Sequence, residues 1–270
     1  MRRIVSSIQW DKLPRTTTPR LFQFIKELFL SRKGKNEILV RLEDINHLVL
    51  SKYPDELVTP AKIETVIELL QARGLVYRLE PSPNKVMILL RPELINQYAS
   101  SIVQAARNHQ IGLGAVSERE IINASIPLFG VERPDVEEEA IIIKSTIELL
   151  IQHDLCFREM GMIIFPSQLN LTRPDFKGDQ PPSEITYQFS GSIEAIYASL
   201  VVRLHYTDYF KREEQWKYAA EFSRDSHRLG FCVKPLEEGT GELEIYFYPG
   251  INEFDRITFT RFITEHLRSK

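Results

Sequence analysis

One stretch of this chain occurs twice, the second copy eighty residues after the first, and a repeated unit constrains a fold more than any single motif does. The first copy runs Glu68-Leu-Leu-Gln-Ala-Arg-Gly74-Leu-Val-Tyr-Arg-Leu-Glu80 and continues as Lys85-Val-Met-Ile-Leu-Leu-Arg-Pro-Glu-Leu-Ile95. The second runs Glu148-Leu-Leu-Ile-Gln-His-Asp-Leu155-Cys-Phe-Arg158 and continues as Gly161-Met-Ile-Ile-Phe-Pro-Ser-Gln-Leu-Asn170. Glu68/Glu148, Leu69/Leu149, Leu70/Leu150, Leu75/Leu155, Tyr77/Phe157 and Arg78/Arg158 superpose. Each copy reads as a helix end, a stop and two strands. With two shorter helices ahead of it, this is the winged helix-turn-helix arrangement, and the repeat predicts two in tandem.

Punctuation residues divide the chain further. Residues 1–18 read as an arm or linker, because Pro14 and Pro19 discourage helix and only Trp10 and Leu13 could anchor it. The first winged unit is placed at 19–97. It holds a helix capped by Thr18, a short strand at Ile38-Leu-Val, a helix near Glu43–Ser51, and a third helix opening at Thr59-Pro60 and closed by Gly74. The second is placed at 98–170, with the helix over Pro92–Arg107 shared between the two. Ser117-Glu-Arg-Glu120 is a capping box, and the helix from Val136 carries glutamates in its first turn and is apolar nearly all round from Ala140, so it must be sandwiched. Residues 171–184 are the clearest linker and separate two cores. The last block, 185–270, is a small antiparallel α+β domain. It reads as a strand at Ile185–Phe189, a helix from Ile193 to Leu204, three strands of period two and a final helix capped by Asn252. The fold class is therefore α+β.

Composition excludes several functions. A net charge of −3 on 270 residues gives no field for a polyanion. Cys156 and Cys232 sit in apolar strand contexts and read as buried, reduced thiols, which suits a reducing compartment. No apolar run approaches the roughly 18 residues of a membrane span, so a soluble, cytoplasmic protein without membrane contact is expected. The nucleotide-loop, dinucleotide, zinc-protease and paired-cysteine motifs are absent from the sequence. His47, His109, His153, His205, His227 and His266 are scattered, and His153 and His266 read as caps at helix C-termini. The expectation is no catalysis, no metal and no cofactor. Duplex DNA is disfavoured as well, because the third helices offer Glu64 and Glu68 against Lys62 and Arg73, and Glu137, Glu138, Glu139, Glu148 and Asp154 against Lys144 alone.

Several of these segments together resemble the COR domain, the module that follows the Roc GTPase in Roco proteins and in related bacterial signalling proteins. The resemblance runs from about Trp10 to Leu267. It is carried by Trp10-Asp-Lys-Leu-Pro, Leu69-Leu70, Gly74-Leu-Val-Tyr, Ile88-Leu-Leu-Arg-Pro-Glu-Leu94, Phe165-Pro-Ser-Gln-Leu169, Leu200-Val-Val-Arg-Leu204 and Trp216-Lys-Tyr-Ala-Ala-Glu-Phe222. Ala219 or Ala220 stands where the family carries glycine. The resemblance implies a regulatory, non-catalytic module whose winged half lies against a P-loop NTPase or GTPase domain of the same or a neighbouring chain, through Trp10, Leu13, Arg78 and Arg91. It implies a homodimer through the second half.

Aromatic composition points to the same half. Tyr206, Tyr209, Phe210, Trp216, Tyr218, Phe222, Tyr246 and Tyr248 look like more than a three- or four-stranded sheet with two helices can bury, and a surplus of this kind marks an interface. Two other readings stay open: a winged-helix regulator of transcription that binds nucleic acid, and a small-molecule sensor around Tyr246-Phe-Tyr248.

Overall fold

Each copy of the repeat is built as helix, strand, helix, helix and hairpin, and the lone strand joins the hairpin's second strand. The computed structural model describes residues 20–54, 58–82, 85–108, 112–123, 125–174, 181–237 and 239–269. It is an α+β protein with antiparallel sheets. The arm with Trp10 and Leu13, and the cap expected at Thr18, lie outside the described residues.

The first copy comprises α1 (Arg20–Gly34), β1 (Leu39–Arg41), α2 (Leu42–Lys52), α3 (Pro60–Ala72), β2 (Tyr77–Ser82) and β3 (Lys85–Leu89), with strand order β1-β3-β2. Thr59 starts α3 by accepting from Lys62 N–H, and Pro60 follows at the first position. The stripe Ile63, Val66, Ile67 and Leu70 is buried with Phe22, Ile25 and Phe29 of α1 and Ile45 and Val49 of α2. Burying each such side chain stabilises the fold by about 2 kcal/mol. At the end of α3, Gly74 turns left-handed (φ +67°) while Gly74 N–H bonds Gln71 O at 2.8 Å and Leu75 N–H bonds Leu70 O at 3.0 Å. Val76, Ile88 and Leu90 on one face of the hairpin and Leu79, Met87 and Leu89 on the other are all buried, so this hairpin is covered on both sides.

The second copy comprises α4 (Glu93–Arg107), β4 (Ala115–Ser117), α5 (Glu118–Ile122), α6 (Val136–Gln152), β5 (Phe157–Glu159) and β6 (Met162–Ile164), with order β4-β6-β5. Ser117 caps α5 by accepting from Glu120 N–H, as the capping box requires. Helix α6 buries Ile142, Ile143, Ser145, Thr146, Ile147 and Leu150, so it is enclosed on most sides. It carries one departure. Glu139, expected on the exposed acidic face, is buried, and Tyr98 Oη donates to it at 2.9 Å. Burial and that bond together push the Tyr98 hydroxyl well above the usual tyrosine range.

The remaining elements are β7 (Ile185–Ser190), α7 (Ile193–His205), β8 (Lys211–Trp216), β9 (Ala219–Arg224), β10 (His227–Pro235), β11 (Thr240–Phe247) and α8 (Glu253–Arg268). They form a five-stranded sheet ordered β7-β11-β10-β9-β8. The sheet has five strands where the sequence reading has four, because the stretch from Trp216 to Phe222 contains the hairpin turn between β8 and β9. Trp216 pairs with Ala219, and Tyr218 makes the turn at φ +63°. Helices α7 and α8 cover one sheet face, where Leu200, Val201 and Phe259 meet Phe222, Phe231, Leu243 and Ile245.

Two expected boundaries move. The chain divides into two compact units, one ending at Pro92 and one beginning at Glu93. Helix α4 is continuous through the expected break at 97/98 and packs on α6 and β4, so it belongs wholly to the second unit. Residues 171–184 do not separate distinct cores, because Phe157 and Ile164 of the second repeat join the same buried cluster as the sheet and α7.

Candidate functional site

Two constellations in the second unit are built around charged side chains that are partly or fully buried. The first is the joint between the β5–β6 hairpin and the sheet. Tyr77 and Phe157 superpose in the repeat, and Phe157 is fully buried. His205, the last residue of α7, stacks on its ring at 4.1 Å, and the Arg212 guanidinium lies 5.3 Å from the ring centre. Arg212 also pairs with Glu159 on the hairpin. Burial pushes the His205 pKa below its ordinary value, against the upward pull of Glu159. A polar cleft of about 540 Å³ opens beside the joint, lined among others by Glu159, His205, Lys211, Arg212 and Arg224.

Arg158, whose equivalent in the first repeat is Arg78, holds the hairpin to its own helices. It reaches both oxygens of Glu118 at 2.8 Å and Glu148 at 2.8 Å. Arg78 pairs with Glu80 at 3.1 Å, and Arg91 donates to Asn36 at 3.0 Å. The family resemblance implied an NTPase contact through Arg78 and Arg91. Both have partners within their own unit.

The joint continues through Asp154, which accepts from Arg203 Nε at 2.7 Å. Arg203 faces His266 Nδ1 at 3.4 Å, and His266 Nε2 lies 3.1 Å from Ser199 Oγ. A serine beside a histidine invites comparison with a nucleophile and its base. The geometry opposes it: Ser199 Oγ donates to Ala195 O at 2.7 Å, and the far ring nitrogen meets a guanidinium where a catalytic base needs a carboxylate. The contact instead ties α7 to α8. His266 lies in the last turn of α8, as the sequence suggested, and at 3 % exposure it is also a buried link between the two helices.

The second constellation lies on the sheet face away from the helices. Glu221 is only 1 % exposed, and it accepts from Arg173 at 3.0 Å, Tyr246 Oη at 3.2 Å and Tyr248 Oη at 2.9 Å. The Arg173 guanidinium also donates to Tyr246 Oη at 2.7 Å and lies over the Tyr246 and Trp216 rings. Gly230 makes the room, since a Cβ there would stand 2.5 Å from Tyr246 Oη. Desolvation, with Glu221 adding to it, raises both tyrosine hydroxyls. Lys217 N–H bonds Leu171 O at 2.7 Å, so the first residues of the expected linker are fastened to the sheet.

These contacts revise the aromatic surplus. Phe210, Trp216, Phe222 and Tyr246 are buried within the chain. Five strands and the segment around Arg173 supply cover that a smaller sheet would lack. Tyr209 is half-buried and donates to Asp255 at 2.6 Å, Tyr218 donates to Glu194 at 2.7 Å, and Tyr206 is the most exposed at 51 %. The eight residues therefore lie on both sheet faces and at the turns, and they do not make one continuous surface. Sequence reasoning missed Arg173, Glu221, Glu139 and Arg212, whose partners lie far off in the chain.

Both cysteines are free thiols, and burial pushes Cys156 up to about 12 and Cys232 to about 11. Among the described residues no His/Cys/Asp/Glu group could hold a metal ion, and no helix is long and apolar enough to cross a membrane. Comparison with protein-family models and with curated proteins gives no match.

Proposed function

We propose that this chain is a non-catalytic regulatory and self-association module of the COR type, built from two winged-helix units and an α+β domain, that couples a P-loop NTPase to dimerisation. The observation that carries the reading is the joint at Phe157. The second repeat's hairpin and the five-stranded sheet share one buried cluster, and the ion pairs Glu159–Arg212 and Asp154–Arg203 cross between them. A cluster packed this closely does not deform gradually, so a displacement of the hairpin reaches the sheet. Such a joint suits a module that relays the state of one partner to another.

The charge on the third helices argues against a transcriptional role. The acidity lies on α6, where Glu137 and Glu148 are exposed with Lys144 alone, while on α3 Glu64 and Glu68 are balanced by Lys62 and Arg73. Phosphate attraction dominates protein–DNA affinity, and neither face offers a cationic surplus for it.

Sedimentation of the intact chain from low to high micromolar concentration tests the reading, with a gel-shift assay on duplex DNA in parallel. A concentration-dependent dimer and no shift are expected, and a P-loop NTPase encoded beside the chain should change its nucleotide turnover when the chain is added. A monomer throughout, or salt-sensitive DNA binding, overturns the proposal.

A further inference from the structure

The two edges of the five-stranded sheet are protected very differently. The β8 edge carries Lys211, Arg212, Glu213 and Glu214 and a register irregularity between Arg212 and Gln215. Charge and irregularity are how natural sheets refuse a further strand. The β7 edge is Ile185-Thr-Tyr-Gln-Phe-Ser190, with no charge, no proline and no bulge in its pairing with β11. Among the described residues β7 pairs with β11 alone.

We infer that the β7 edge is the self-association surface, and that it takes the β7 strand of a second copy antiparallel across a two-fold axis. This inference rests on the self-association reading above and gives it an address. The register supports it. Gly191 N–H bonds Gly239 O at 2.9 Å, and the ladder pairs Phe189 with Gly241, Tyr187 with Leu243 and Ile185 with Ile245. In an antiparallel ladder hydrogen-bonded pairs alternate, so the backbone groups of Ile185, Tyr187 and Phe189 face β11. Those of Thr186, Gln188 and Ser190 face outward.

A two-fold pairing that uses all of these outward groups centres on Gln188 and sets Thr186 opposite Ser190 of the second copy. It also brings Tyr187 of each copy opposite Phe189 of the other, in the closely spaced non-hydrogen-bonded positions where aromatic pairs interact best. An uncharged strand pairs with itself without like-charge repulsion, which is why a second copy fits better than a charged partner. The helix over this edge agrees: Thr264 of α8 shares a hydrogen bond of 2.7 Å with Tyr187, and on the same side of α8, at helical spacing, Ile257 is 57 % exposed.

The test is sedimentation velocity on the intact wild type, Gln188→Pro, Gln188→Lys and Glu214→Lys. Proline at an outward-facing edge position leaves the β11 ladder intact but removes the central donor and obstructs pairing. Lysine places two like charges at the axis. Both Gln188 variants should weaken the dimer about a hundredfold or more, while Glu214→Lys on the guarded edge leaves it unchanged. Amide exchange in the wild type should slow at Thr186, Gln188 and Ser190 as concentration rises. If Gln188→Pro loses its circular dichroism, Gln188→Lys decides. Dimers of wild-type affinity in a folded Gln188 variant overturn the β7 edge and leave self-association standing. A monomeric wild type overturns both.

Discussion

Gly74 and Asp154 close α3 and α6 with the same pair of backbone hydrogen bonds, although one is a glycine and the other an aspartate. Leu155 N–H bonds Leu150 O at 3.0 Å and Asp154 N–H bonds Ile151 O at 3.0 Å, matching the bonds around Gly74. Asp154 holds a left-handed φ of +57° that an L-residue adopts at some cost. Its carboxylate is held by Arg203, so the strained position also anchors the joint.

Gly74→Ala therefore tests the conformational cost alone, because a Cβ there meets nothing within 4 Å. The substitution should destabilise the first unit by about 1 kcal/mol. Urea unfolding followed by amide exchange of α3 reads it. No change in protection would mean that this helix end relaxes out of the left-handed turn.

Glu221→Gln keeps acceptors for Tyr246 and Tyr248 but removes the carboxylate charge beside Arg173, whose side chain is 14 % exposed. Breaking a buried pair from one side costs about 3 kcal/mol. Glu221→Gln combined with Arg173→Met should lose less than Glu221→Gln alone. The urea midpoints of the three variants check this order, and equal losses in the single and double variants would contradict it.

Stability should fall as pH drops below about 6.5, with His205 contributing to the loss. Its folded pKa is depressed, mainly by burial. The unfolded chain then takes up the proton first as pH falls, so stability present above the unfolded value is lost toward the folded one. Thermal melting from pH 8 to pH 5 should show a shallower decline in His205→Phe, which keeps the stack on Phe157. An unchanged slope would remove His205 from the account.

Gly230→Ala should destabilise by about 2 kcal/mol, because the new Cβ would meet both the Tyr246 ring and Ala220 O, the latter at 2.8 Å. Tyrosine fluorescence would report release of the Tyr246 hydroxyl from Glu221.

The helices were legible because their ends carry local signals. Thr59, Ser117 and Asn252 each accept from the backbone three residues on. β8 was not legible, since Lys-Arg-Glu-Glu-Gln-Trp has no apolar alternation, and its turn uses Tyr218 where a sequence reader expects glycine. The buried charges were invisible for a different reason. Glu139 finds Tyr98 at a separation of 41 residues, Glu221 finds Arg173 at 48, and His266 finds Ser199 at 67. No local pattern encodes pairings of that range. The aromatic surplus was misjudged on the same ground, because strand number decides how many rings a sheet can shelter.

The position of Phe157 also bears on how such a chain can be assembled over evolutionary time. Recombination within 171–184 would separate this ring from the cluster that encloses it, and each product would carry an apolar scar where the other had been. A crossover between Pro92 and Glu93 leaves that cluster whole. The second repeat and the sheet are therefore expected to be inherited as one block.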